Sequence, residues 1–428
     1  MALLQYADVE GSFAPWINAT EPGIASANLR QRNQFASLTN MGLAVLLAWA
    51  MAAKAAAFSR RAVVWMLAAA ALLAIANAAS ASRTGLVQVG LLCLLFALWG
   101  GWRKRTVRMI LTAAVLTYAL AAIALPYAMG FDASLYGMAA RLRDGDSVCS
   151  SRLTLWSNVL DLIALKPWLG WGWGELDYAH YITLYQGPRF CDILDNAHNL
   201  PLHLAVELGV PVALLVCGVT LWLIWRQRPW REHNSTRQLA WAVLALIGLH
   251  SMLEYPLWYG PFQMAVGLSV YLLWQTQQTQ QIEGLQQKYA SNRPLAQVIQ
   301  GLLAMCSIVI CAVVAWDYHR ISQIYLAPIA RAAAYRDDTL AKSQGSWFFS
   351  QQVLFAELNL TPLTRANAQW TFDAATRLLH FSPESRVIEK VIESATLLGR
   401  DDEAMFYLAR YRAAFPADHA RWAQSSSR

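Results

Sequence analysis

The stretch DNAHNLPLHLAVELG, Asp195 to Gly209, sets His198, His203 and Glu207 at the mouth of an apolar run, VPVALLVCGVTLWLIW. Pro201 suits the first turn of a helix, where its missing N–H is not needed, so a helix is expected to begin near Asn199 or Leu200. His198, with Asn199 beside it, then stands at a helix N-terminus, a place whose unpaired N–H groups and positive dipole end favour an anion. His203 and Glu207 share a face one to two turns deeper, and Pro211 removes a hydrogen bond to the Glu207 carbonyl and bends the helix there. GLHSMLEYPLWYGP (248–261) repeats the spacing with His250 and Glu254, followed by Tyr255, Trp258 and Tyr259. Ionisable groups within membrane helices are costly and face a cavity, a pathway or each other. Two self-satisfied His–Glu pairs that only fix helix packing stand beside the functional reading.

Arginines supply the other half of the pattern. SASRTG (80–85) puts Arg83 in a tight turn between two apolar runs, where helix packing gives no reason for a guanidinium. NLRQRNQF (28–35) places Arg30 and Arg32 just ahead of the first run, while Arg152 and Arg189 lie within 129–200. Guanidinium forks match phosphate oxygens two at a time. Several arginines with a histidine therefore suit a lipid-linked phosphate or pyrophosphate, although each arginine alone could simply reach from the membrane boundary into water.

Such residues need a scaffold, and composition names its kind. The hydrophobic fraction is 57% and charged residues are 14%, against about 25% in a soluble domain; mean hydropathy is +0.31. The chain reads as a polytopic membrane protein. Runs long enough for a hydrocarbon core of about 20 helical residues occur near 38–58, 62–80, 86–101, 109–128, 201–225, 239–258, 260–275 and 297–316, so about eight helices are expected. Arg60 and Arg61, the cluster Arg103, Lys104, Arg105 and Arg108, the group Arg226, Arg228, Arg231 and Arg237, and finally Lys288 and Arg293 occupy alternate loops. Cytoplasmic loops are enriched in such residues. By parity 1–37, 80–85, 129–200, 254–260 and the tail after Trp316 face out, where nearly all the unusual polar residues fall. Residues 1–37 lack a charged start followed by an apolar core that would export them, which leads to the expectation of further helices upstream.

Cys93, Cys217, Cys306 and Cys311 lie in apolar runs, whereas Cys149 and Cys191 share the long outer loop. In an oxidising compartment the two loop cysteines are expected to pair, with independent free thiols as the other reading. From about 317 the chain turns polar and helical in pattern. ATRLLHFSP (375–383) and LARYRAAFP (408–416) are offset by 33 residues, near the period of tetratricopeptide-like hairpins, which points to a small helical domain. QTQQTQQIEGLQQ (275–287) reads as a cytoplasmic linker.

SRLTLWSNVLDLIALKPWLGWGWGEL (151–176), DNAHNLPLHLAVELG and HSMLEYPLWYGPF (250–262) resemble the O-antigen ligase and polymerase superfamily. The likeness is nearest to its protein O-oligosaccharyltransferase branch, the PglL-like pilin and general protein glycosylation ligases, because ANLRQRNQFASL (27–38) is similar to the segment that marks that branch. The resemblance covers roughly 20–275. It implies a glycosyltransferase that moves a glycan from undecaprenyl pyrophosphate to a hydroxyl acceptor on the periplasmic side, with no cofactor and no required metal. By the same resemblance His198 matches the family's essential histidine, Arg83 its outer-turn arginine, Tyr255 the tyrosine of its EYP motif and Glu207 the glutamate of its HNxxLxxxxExG pattern.

Both readings combine in one mechanism. Arg83 first, then Arg30, Arg32, Arg152 and Arg189, would neutralise the pyrophosphate leaving group, and His198 would take the proton of the attacking hydroxyl or else hydrogen-bond the pyrophosphate as imidazolium. Asn199, His203, His250 and Glu254 are further candidates for contact with substrate. Trp168, Trp171 and Trp173 could stack on sugars, though tryptophan is also ordinary at a membrane interface. The acceptor implied is Ser or Thr of pilin or another periplasmic protein, with lipid A core or a further O-unit as the alternative. More remote are a metal-dependent membrane hydrolase using the two His and two Glu as ligands and a transporter of lipid-linked glycan. The partners expected are the lipid-linked glycan, the acceptor and the inner-membrane bilayer, with no nucleic acid. The fold class is all-α: a periplasmic segment 1–37, membrane helices in 38–128, a periplasmic loop 129–200, membrane helices in 201–316 and a periplasmic helical domain 317–428.

Overall fold

The computed structural model describes residues 1–428 except 54–57, 133–134, 145–146, 283–292 and 427–428. The fold is all-helical, with no strand among the described residues. In chain order the helices are α1 (Ala2–Tyr6), α2 (Arg32–Ala52), α3 (Arg60–Ala79), α4 (Arg83–Leu98), α5 (Arg105–Ala128), α6 (Gly137–Asp144), α7 (Arg152–Leu165), α8 (Leu176–Ile182), α9 (Leu200–Leu208) and α10 (Val210–Gln227). They continue as α11 (Ser235–Ser251), α12 (Gly260–Ile282), α13 (Arg293–Ser322), α14 (Thr339–Ser343), α15 (Ser350–Leu360), α16 (Ala368–Leu379), α17 (Ser385–Leu397), α18 (Asp401–Ala414) and α19 (Pro416–Ser426). Several starts are written in the residue ahead of the helix. Ser59, Ser82 and Ser151 accept from Ala62, Gly85 and Thr154 N–H, and Asn234 accepts from both Thr236 and Arg237 N–H, which satisfies donors that a helix start leaves open.

This is a multi-pass membrane protein. Five stretches among the described residues are long and apolar enough to cross a membrane: Arg32–Ala52, Arg60–Ala79, Arg105–Ala128, Val210–Arg231 and Val298–Tyr325. Eight were expected; two of the three others fall short in length, and α12, with 23 residues, falls short in apolar content. α4 has 16 residues and α11 has 17, short of the ~20 a crossing needs. α12 runs to Ile282, so its last turns are the glutamine-rich sequence expected to be a linker; the rest of that sequence, 283–287, falls outside the described residues.

The run 201–225 is also not one helix. Gly209 has φ +88°, and a Cβ there would lie 2.2 Å from the Trp168 carbonyl oxygen, so the chain breaks between α9 and α10. The carbonyls freed by the break find new donors: Trp171 N–H reaches Val206 O at 2.9 Å and Gly172 N–H reaches Glu207 O at 3.0 Å. The bend expected at Pro211 is thus a break two residues earlier, at Gly209, sealed by the PWLGWGWG loop.

The chain forms two compact units. One comprises Met1–Ser147, His198–Pro201 and Ala213–Glu283; the other comprises Val148–Ala197, Leu202–Val212 and Gly284–Arg428. In the first, Leu43, Ala44 and Leu47 of α2, Ala70 and Ala74 of α3, Leu92 and Phe96 of α4, Ile110 and Ala114 of α5 and Leu246 of α11 make one core. Alanines four apart on α3 let the backbone of α5 come close, the usual way helices pack in lipid. The starts of α2 and α4 and the chain following α11 share one end of this bundle. At the other end Trp99 Nε1 donates to Pro229 O at 2.7 Å and Lys104 Nζ donates to Met51 O.

In the second unit Leu155, Val159 and Leu162 of α7 pack with Leu176, Ala179, Phe190, Leu194 and Val206. Cys149 and Cys191 form a disulfide across this segment, as expected. α16 to α19 run as two successive helix pairs whose first members start 33 residues apart, at Ala368 and Asp401, which is the offset read from the sequence. Tyr181 of α8 is buried among Phe355, Phe372, Leu378, Ile388 and Tyr411, so the loop segment and the C-terminal helices share a core.

Candidate active site

His198 lies where the sequence placed it, two residues before α9 begins. Its backbone is left-handed, φ +51°, a conformation that non-glycine residues hold only when their surroundings impose it. The side chain is 26% exposed, which leaves it within reach of solvent, and its Nδ1 lies 3.1 Å from Glu254 Oε2. Tyr255 presents its ring at 88° to the imidazole, 5.0 Å between centroids, and Asn199 Nδ2 donates to Met252 O at 3.1 Å. The second oxygen of Glu254 accepts from Asn33 Nδ2 at 3.0 Å, and Asn33 Oδ1 accepts from Ser82 Oγ at 2.6 Å. Arg83 is the first residue of α4, next in the chain to Ser82.

Behind this group lies a buried polar lattice. His250 is fully buried, with Nδ1 2.8 Å from Ser37 Oγ. Gln88 Nε2 donates to Ser37 Oγ at 2.8 Å and to Leu246 O at 2.9 Å. Asn40 Nδ2 donates to Gln88 Oε1 and Gly85 O, each at 3.1 Å, and Asn77 Nδ2 donates to Asn40 Oδ1 at 2.9 Å. The lattice joins α2, α3, α4 and α11, and a Cβ on Gly85 would stand 2.4 Å from Asn77 Oδ1. His250 and Glu254, read from spacing as an i, i+4 pair, meet Ser37 and His198 respectively. The polar residues of α2, α3 and α4 that carry this framework were missed as site residues, though Asn and Gln inside apolar runs were a visible signal.

Arg30 caps a short turn in the left-handed conformation, φ +59°, and with Arg32, Asn18, Thr20, Glu21 and Ser26 it lines a cavity of about 610 Å³, within the size range of small-ligand sites. The remaining sequence-chosen residues belong to the other unit. His203 and Glu207 are each 2% exposed and form an i, i+4 pair at 3.4 Å, with Trp173 edge-on to the imidazole. Glu207 precedes the membrane stretch that starts at Val210, and burial pushes its carboxyl up to about 7. Arg189 spends its donors on the carbonyls of His180 and Thr183, at 2.7 and 2.9 Å. Arg152 starts α7. Trp168 and Trp173 are exposed, whereas Trp171 Nε1 donates to Leu162 O at 3.0 Å and Lys166 Nζ sits 4.0 Å over its ring. Among the described residues no three His, Cys, Asp or Glu side chains converge as metal ligands would.

Residues 68–217 match the family O-Antigen ligase, residues 238–428 match Virulence factor membrane-bound polymerase, C-terminal, and residues 25–50 match Protein glycosylation ligase. Through these matches the chain is similar to the O-antigen ligase and polymerase superfamily along most of its length. The third match covers NLRQRNQF and marks the protein-glycosylation branch, as the resemblance implied. The chain is 27% identical over 281 residues to the General O-oligosaccharyltransferase of Acinetobacter baylyi, covering 60% of this chain and 46% of that protein. It is 29% identical over 118 residues to the ComP-specific O-oligosaccharyltransferase of the same organism, covering 28% and 21% respectively. The chain thus spans about half or less of the length of these curated relatives. No solved structure matches it.

Proposed function

We propose that this chain carries the active site of an O-oligosaccharyltransferase, which moves a glycan from undecaprenyl pyrophosphate to a hydroxyl of a protein such as pilin. The observation that carries the proposal is His198, about a quarter exposed to solvent (26%) and tied through Nδ1 to Glu254 at 3.1 Å, in a chain whose residues 68–217 match the O-Antigen ligase family. Its Nε2 is the group that takes the proton of the attacking hydroxyl. The new bond forms between that oxygen and the sugar's anomeric carbon, while the bond to the pyrophosphate oxygen breaks and leaves its electron pair on the phosphate. Arg83, with Arg30 and Arg32, meets the charge that grows on the leaving group. Lys104 and Pro229 mark the basic end of the helix bundle, and its Lys and Arg content supports a cytoplasmic location for that end and a periplasmic one for His198.

Both relatives bear oligosaccharyltransferase names, which supports a protein acceptor. The match of 238–428 to a polymerase family favours a second reading, in which the acceptor is another glycan. Intact masses of periplasmic and pilus proteins, with and without the gene, separate the two. A glycan-sized mass lost from protein upholds the first reading; unchanged protein masses with altered lipopolysaccharide laddering uphold the second. Unchanged results in both would refute glycan transfer.

A further inference from the structure

We infer that Glu254 is the positioning residue of His198, and that Asn33 and Ser82 fix the direction of every hydrogen bond leading to it. The inference rests on His198 being the base and adds what sets its tautomer. The chain of bonds can be followed from the backbone outward. Ser82 Oγ accepts the Gly85 N–H at 3.0 Å as the cap of α4, so its own proton is free to go to Asn33 Oδ1, 2.6 Å away. Asn33 has its carbonyl oxygen occupied on that side and turns its NH₂ to Glu254 Oε1 at 3.0 Å. A carboxylate only accepts, so Oε2, 3.1 Å from His198 Nδ1, takes the ring N–H. The neutral imidazole is therefore protonated at Nδ1, and the lone pair falls on Nε2.

Direction alone would not hold a ring still. Glu254 is 11% exposed and Asn33 and Ser82 are buried, so water competes little for these bonds. Tyr255, edge-on to the imidazole, and the left-handed backbone of His198 restrict the ring further. When Nε2 accepts the hydroxyl proton the ring becomes an imidazolium, and the adjoining Glu254 carboxylate stabilises that charge. The four residues come from the start of α2, the start of α4, the turn after α11 and the approach to α9, so assembly of the bundle is also assembly of the base. This gives a chemical use to Asn33 within NLRQRNQF, the segment matched to protein glycosylation ligases.

The test is a double-mutant cycle in the full-length enzyme, with transfer measured per folded molecule. Glu254→Gln keeps the shape but offers an amide, and it should lower kcat by a factor on the order of 10²–10⁴ with KM little changed, as when a catalytic histidine loses its orienting carboxylate. Glu254→Asp should recover part of the loss. In the His198→Ala background Glu254→Gln should cost nothing further, because residues acting as one unit are not additive. Wild-type kcat in Glu254→Gln beside an inactive His198→Ala would overturn the positioning role and leave the base standing, and so would losses that simply multiply. An active His198→Ala would instead remove the base reading itself.

Discussion

His180→Gln isolates an acid sensitivity built into the 148–197 segment. His180 is 4% exposed; the Tyr185 hydroxyl lies 2.8 Å from Nδ1, and Nε2 donates to Phe190 O at 3.2 Å. Burial, and after it the neighbouring Arg189 guanidinium, push its pKa from 6.5 down to about 3. The folded ring is neutral, whereas the unfolded chain binds a proton below its ordinary pKa. The stabilisation is therefore complete above about pH 6.5 and is lost as pH falls toward 3. At about pH 4.5, two units below the unfolded value, the loss amounts to about 3 kcal/mol at roughly 1.4 kcal/mol per unit. Glutamine can still donate to Phe190 O and accept from Tyr185, and it never takes a proton. Local unfolding of 176–194 is read by protease cleavage of the full chain in one detergent from about pH 7.5 to 4.5. The free-energy gap between wild type and variant should move by about 3 kcal/mol in the variant's favour on acidification. Parallel curves would refute a buried neutral ring.

Gly209→Ala forces a Cβ to within 2.2 Å of the Trp168 carbonyl at φ +88°, and should cost about 2–4 kcal/mol from backbone strain and overlap together. Gly218→Ala, with nothing within 4 Å, should be neutral or slightly stabilising in the same thermal-unfolding comparison. Replacing Cys149 and Cys191 with serine opens a 42-residue loop and should lower stability by about 4 kcal/mol in the chain-entropy model. Mass analysis after alkylation without reductant should find these two thiols joined and Cys93 and Cys217 labelled only on unfolding.

What the sequence could show was local. Pro201 after Asn199 placed the start of α9 correctly, and the 33-residue offset in the tail came out as two helix pairs. The break at Gly209 stayed hidden because glycine within an apolar run interrupts no periodicity, and only the approach of Trp168 makes it necessary. α11 ends at Ser251, yet the Glu254 N–H still reaches the His250 carbonyl at 2.8 Å, and spacing alone did not reveal that Ser37 and His198 approach these two residues from other elements. Asn33 and Glu254 are 221 residues apart, and no periodicity reports a hydrogen bond of that separation. Amphipathic patterns in α16 and α17 announced a buried face without saying that Tyr181 would fill it.

Transfer by His198→Ala is the most direct measurement. The full-length variant should insert and fold as wild type does, since a side chain 26% exposed ahead of a helix fills no core. Its turnover per folded enzyme should fall by a factor of about 10²–10⁴, the range for a lost general base. His203→Ala, measured beside it, should mainly lose stability by leaving the buried Glu207 without its pair. Turnover by His198→Ala equal to that of wild type would contradict the assignment of His198 as the base.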